Sequence, residues 1–202
     1  EGRWEGPLGE GHRGACRTRM SHGRGPRARV IRRRRGGIVI AATELQSLVE
    51  RALRACDAPR DGEATLTLVD DREIAALNAA HMGVRGPTDV LSFPLLEPTR
   101  FPARPGTRRR AAHRMVRPAA STGGALPLGD IVVNVDRAME QAREGRGGED
   151  GATRHTPADE LRLLVVHGAL HLCGWDHRSP LARTAMWTEQ RKILRAHARA
   201  KR

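Results

Sequence analysis

In TELQSLVERALRAC, residues 43–56, the apolar side chains Leu45, Leu48, Val49, Ala52 and Leu53 recur at the spacing of one face of an α-helix. Thr43 with Gln46 supplies a capping-box start for it. Just upstream, GIVIAA (37–42) reads as a short buried strand. ATLTLVDD (64–71) alternates apolar and polar residues, the period-2 pattern of a half-buried strand. The Asp70-Asp71 pair then caps a helix, REIAALNAAHM, that Gly83 closes. TDVLSFP (88–94) and GDIVVNV (129–135) read as further strands. Each carries an aspartate near its start, Asp89 and Asp130, read as structural caps rather than catalysts. Ser92 and Phe93 are read as fold residues.

Asp136 to Glu144 predicts a helix that ends in a glycine-rich stretch. Thr156, Pro157 and Asp159 are the cap, first-turn proline and first-turn acid of a long helix running to Cys173. Gly174 ends it in a left-handed conformation, and a last helix covers roughly Leu181 to Arg199. The order β-α-β-α-β-β-α-α-α predicts an α+β fold: a single domain with one mixed β-sheet and helices packed on it.

Two segments fall outside this pattern. Residues 1–37 are rich in Gly, Arg and Pro, and residues 99–124 hold 7 Arg and no acid. Both are expected to be disordered, the first as an extension and the second as an insertion in a domain spanning 38–199. They also locate the charge. Of the net +13, residues 1–35 contribute +8 and residues 99–124 contribute +7, leaving the rest of the chain at −2. Phosphate binding and simple solvation are both open for such arginine-rich runs. Met20 is the first methionine, so the residues before it are expected not to belong to the natural product.

At 202 residues the chain suits one domain with a sizeable core. No stretch approaches the roughly 20 apolar residues of a membrane span, and the N-terminal arginines precede no secretory apolar region. A cytoplasmic protein is expected. Cys16, Cys56 and Cys173 are odd in number and never arranged C-x-x-C, which fits reduced thiols better than a disulfide framework.

The chemistry concentrates in VVHGALHLCGWDH, residues 165–177. His167, His171 and His177 stand at H-x3-H-x5-H, the ligand spacing of the zinc-protease signature H-E-x-x-H-x-x-G-x-x-H. On a helix His167 and His171 share one face, and a turn at Gly174 lets His177 return to them. Three imidazoles leave one zinc position open, as catalytic sites do, so one Zn2+ ion is the expected cofactor. The protease's glutamate is replaced by Gly168. Zinc acidifies water to a pKa of about 7 unaided, whereas peptide hydrolysis by that route needs the glutamate to shuttle protons. Asp176, beside the third histidine, is a candidate for orienting an imidazole or accepting a proton, with a capping role equally open. Trp175 is open to base stacking or to packing.

The run HGALHLCGWDH resembles the H-G-x-L-H-L-x-G-Y/W-D-H signature of the YbeY family of bacterial endoribonucleases. GPTDVLSFP (86–94) and LGDIVVN (128–134) are similar to two more of its blocks, in the same order. The resemblance spans about Ile38 to Lys192. It implies a zinc-dependent endoribonuclease specific for single-stranded RNA, acting in 3′-end processing of small-subunit rRNA and in ribosome biogenesis. The implied partners are single-stranded regions of rRNA and the small ribosomal subunit, with neither DNA nor membrane. Many members have an arginine before the glycine of the segment matching LNAAHMGVRGPTDV. Here that position is Met82, and Arg85 is the candidate to take over its catalytic work. Two alternatives stay open: a ribosome assembly factor with a mainly structural zinc, and a zinc hydrolase acting on peptides.

Overall fold

The computed structural model describes residues 25–34, 36–37, 40–106, 124–145 and 155–201. Strands β1 (Arg27–Arg32), β2 (Gly62–Val69), β3 (Val90–Pro94) and β4 (Leu126–Asn134) form one mixed sheet in the order β1-β2-β4-β3. β1, β2 and β4 run parallel, and β3 pairs antiparallel with β4. The helices are α1 (Ala42–Ala55), α2 (Asp71–Met82), α3 (Val135–Arg143), α4 (Pro157–Leu172) and α5 (Pro180–Arg199). This is the α+β architecture, with the element order, that the patterning predicts.

Side chains alternate across a strand, so the sheet has two apolar faces. Leu66, Leu68, Ile131 and Val133 pack into the main core with Leu45, Leu48 and Leu53 of α1 and Leu164, Val165 and Ala169 of α4. Val69, Leu91 and Val132 face the other way, where Ile74 of α2 completes a smaller cluster. Full burial of such a leucine or valine contributes about 1.5–3 kcal/mol. The helix carrying the histidine pair is thus held against β3 and β4.

Several helix ends follow the residues that predict them. Asp70 caps α2 by accepting the Glu73 N–H at 2.9 Å, and Gly83 closes it at φ 69°. Thr156 and Asp159 form a reciprocal capping box at the start of α4. Asn134 caps α3 by accepting from the Asp136 and Arg137 N–H groups, and the helix starts at Val135, one residue before the predicted start.

Three expectations need correction. The first strand is RARVIR, not GIVIAA, so residues 1–37 are not wholly a disordered extension. β1 hides an alternating pattern inside an arginine-rich composition: Ala28 turns into the core, while Arg27 and Arg29 turn out toward Glu63 of β2. Within GIVIAA, Ile38 and Val39 lie outside the described residues, Ile40 is a buried bend, and Ala41 already precedes the helix. Second, that helix starts at Ala42 with Ala41 at its cap and no side-chain cap bond, which puts Thr43 inside the first turn. Third, the arginine-rich insertion does not leave the fold at residue 99. Pro98–Arg100 form a 3-10 turn, and Phe101 is buried in the main core. The Arg104 guanidinium donates to the Cys56 carbonyl at 2.7 Å and lies over the Trp175 ring. The Ser179 hydroxyl donates to the Gly106 carbonyl at 3.2 Å. Residues 107–123 lie outside the described residues.

Candidate metal centre

α4 presents His167 and His171 one turn apart toward β3, with their Nε2 atoms 3.1 Å from each other. The other ring nitrogen of each is committed. His167 Nδ1–H donates to Gln190 Oε1 of α5 at 3.1 Å, and His171 Nδ1–H donates to the Trp175 carbonyl at 2.9 Å. These bonds fix the tautomer that leaves both Nε2 lone pairs pointing at one place, the arrangement a metal-ligating histidine needs. Gly174, at φ 80°, turns the chain after the helix. His177 comes back on that turn until one ligand atom from each of the three histidines lies within 4.8 Å of the others. His177 is exposed, so the cluster opens to solvent on its side.

Burial also prepares the pair for a cation. It holds the His171 imidazole down to about 4, helped by repulsion from His167 and His177, and it lowers His167 as well against the opposing Gln190 bond. Both rings are therefore neutral near pH 7, the form that binds metal. Among the described residues no Cys, Asp or Glu joins the cluster. Cys173 is buried beside Cys56, which together with burial pushes its thiol up. Three imidazoles with one open side fit a catalytic zinc.

Gly168 is explained by packing. A Cβ there would stand 2.6 Å from Ile131 Cγ2 and 3.0 Å from Val90 Cγ2. The backbone itself is in use, since its carbonyl accepts the Ser92 hydroxyl at 3.0 Å. The zinc-protease glutamate has no room at this position because α4 lies directly on β3 and β4.

The cluster lines a cavity of about 390 Å³ together with Met82, Asp89, Val90, Leu91, Ser92 and Pro94. Asp89 is anchored there. Its Oδ1 accepts from the Val90 N–H, and its Oδ2 accepts from Gln141 Nε2 of α3. Asp130 is exposed on β4 opposite Phe93.

The other candidates fall elsewhere. Asp176 does not orient an imidazole: its carboxylate accepts the Arg178 N–H at 2.5 Å and faces the Arg178 guanidinium, so it caps the turn. The orienting work goes to Gln190 and the Trp175 carbonyl. Arg85 is exposed in the loop after α2 and is absent from the cavity lining, whereas Met82 is part of it. Trp175 is 8% exposed and packs under Arg104, which excludes it as a stacking surface. Gln190 escaped sequence reasoning, although one signal pointed to it. It is the uncharged polar member of the buried stripe Ala182, Met186, Gln190, Ile193 and His197 on α5.

A helix-borne histidine pair and a returning third histidine, packed on a mixed sheet with the zincin carboxylate sterically excluded, define a metal-centre α+β protein distinct from the zinc proteases. Similarity to known proteins identifies it more closely. The family Endoribonuclease YbeY matches residues 32–198, and the chain belongs to that family. It is 40% identical over 155 residues to Endoribonuclease YbeY of Moorella thermoacetica, covering 75% of this chain and 85% of that one. It is 35% identical over 158 residues to Endoribonuclease YbeY of Mycolicibacterium gilvum, covering 78% and 76% respectively. The solution structure of a Thermotoga maritima protein superposes with a TM-score of 0.50 at 25% identity, covering 84% of this chain and 88% of that one. No described helix is long and apolar enough to cross a membrane.

Proposed function

We propose that this protein is a zinc-dependent endoribonuclease that cuts single-stranded regions of rRNA, with 3′-end processing of small-subunit rRNA as its task. The observation that carries the reading is the convergence of three imidazoles beside an open cavity, with no carboxylate able to occupy position 168. His167, His171 and His177 would hold the ion. When bound, zinc supplies Lewis acidity toward a phosphoryl oxygen and makes water acidic enough to react near neutral pH.

The chain's own residues do the rest. Gln190 and the Trp175 carbonyl hold the imidazoles in one tautomer, and burial keeps them unprotonated. Asp89 lies in the cavity wall with both carboxylate oxygens engaged by hydrogen bonds, so it shapes the space in which a phosphodiester sits. A mainly structural zinc is disfavoured because structural sites are closed by four protein ligands. Peptide hydrolysis is disfavoured because the proton shuttle cannot be built at Gly168. The test is a panel of zinc-loaded protein on a single-stranded rRNA fragment, the same sequence as a duplex, and casein. Cleavage of the single strand alone supports the reading, and cleavage of casein with intact RNA overturns it.

A further inference from the structure

Beside the metal cavity lies a larger one, about 930 Å³, between α4 and α5. The two share Asp89 and His167 in their linings, so they meet at the metal centre. Trp187, Arg191 and Arg195 all line the larger cavity and are spaced four apart on α5, which puts them on one helix face. Trp187 is 41% exposed. The chain has few aromatics. Among the described residues, Phe101 and Trp175 are buried and Phe93 is half-buried, which leaves Trp187 as the one aromatic open enough to receive a stacked ring.

Position matters as much as exposure. Trp187 is three residues before Gln190, the side chain bonded to His167, and so about 4.5 Å from it along the helix axis. A half-exposed indole in a wide cavity that runs into a metal site, with guanidinium groups one and two turns along, matches what single-stranded nucleic acid requires. Bases stack on aromatic faces and arginines follow the phosphates. The acids of the same cavity do not cancel this. Glu160 is buried against His155 at 2.5 Å, Asp159 is held by Thr156 and Arg162 in the α4 cap, and Asp89, at the junction with the metal cavity, is held by the Val90 N–H and Gln141.

We propose that the cleft between α4 and α5 is a nucleotide subsite, in which a base next to the scissile phosphate stacks on Trp187 while Arg195 contacts the neighbouring phosphate. This rests on the endoribonuclease reading and deepens it by naming where the strand lies. It also gives a physical reason for single-strand preference, because a base paired in a duplex cannot leave its stack to cover the indole without an unpairing cost.

The test uses the full zinc-loaded chain and an oligouridylate of about twelve nucleotides, within the range of sites on other single-strand binders. Trp187→Ala should weaken binding on the order of 10-fold and raise KM similarly while leaving kcat within about 2-fold, since one stacked base is lost. Trp187→Phe should restore most of the affinity. Zinc content and melting temperature should match the wild type in both. Arg195→Ala should reduce the salt slope of binding by about one. Wild-type affinity in Trp187→Ala, with wild-type protein still cutting RNA, overturns the subsite and leaves the endoribonuclease reading standing. An unchanged salt slope in Arg195→Ala overturns its phosphate contact. Failure of the wild type to bind or cut any RNA overturns the parent reading and the subsite with it.

Discussion

Replacing Gly168 by alanine tests whether packing, rather than chemistry, keeps a side chain out of this position. The added Cβ would meet Ile131 Cγ2 at 2.6 Å, Val90 Cγ2 at 3.0 Å and Ser92 Oγ at 3.2 Å. An ordinary carbon–carbon contact is roughly 3.5–4.0 Å, so α4 and the sheet must separate by about 1 Å there. Alanine favours the helix by about 1 kcal/mol over glycine. Against that stand an overpacking cost of about 1–3 kcal/mol and the strained Ser92–Gly168 hydrogen bond, which contributes about 1 kcal/mol. The net is a loss of about 1–3 kcal/mol, or roughly 2–12 °C in Tm for a domain of this size.

The metal should report the same displacement more sharply. His167 and His171 flank position 168 on the moved helix, whereas His177 sits on the loop beyond Gly174. Metal–ligand distances tolerate only about 0.2 Å, so zinc affinity should fall at least about 10-fold. Thermal melts with and without zinc, and competition against a chelator, measure both effects. A Gly168→Ala protein as stable as the wild type, with unchanged zinc affinity, would refute the packing account. Gly168→Glu should be worse on both counts and acquire no activity on casein.

Gln190→Ala removes the acceptor that orients His167 and should weaken zinc binding about 10- to 100-fold, read by chelator competition. Because Met82 lines the metal cavity and Arg85 does not, Met82→Arg should raise RNA cleavage about 10-fold, and Arg85→Ala should stay within about 3-fold of wild type. A large loss in Arg85→Ala would put Arg85 at the reacting phosphate. Burial alone would raise the Glu44 carboxyl, but hydrogen bonds from Lys201 and Arg162 outweigh it and hold the group at about 2. A depressed carboxylate stabilises the fold above its ordinary range and loses that contribution as pH falls toward 2. Glu44→Gln should therefore cost about 1–2 kcal/mol at pH 7, discounted for the half-exposed Lys201, and the deficit should vanish in melts taken between about pH 4.5 and pH 2.

Much of the fold was legible because local signals agree with the tertiary structure. The Leu45–Leu53 face, the alternation in β2, the Asp70 cap and the Thr156 cap with its first-turn Asp159 each predict an element that is present. The first strand was not legible, since β1 is an edge strand with arginines on its outer face, and composition masks a period of 2 carried by Ala28 and Val30. Phe101 and Arg104 fall in a segment whose composition likewise predicts disorder, although one fills the core and the other covers Trp175. The histidine cluster could be read from local spacing because all three residues lie within one helix and its turn. Gln190 reaches the site, and Trp187 the adjoining cavity, from α5, through packing of two helices that spacing does not encode.

If His167, His171 and His177 hold the ion on which RNA cleavage depends, metal and activity must be lost together. The most direct test takes wild type and His171→Ala from parallel preparations and measures metal per chain by elemental analysis and cleavage of one single-stranded rRNA fragment at fixed salt. The wild type should carry about one zinc per chain and cleave the RNA, with both lost together in His171→Ala while the melting profile of the metal-free proteins stays the same. Stoichiometric zinc in His171→Ala, or undiminished RNA cleavage without it, would show that these histidines do not hold the ion on which cleavage depends.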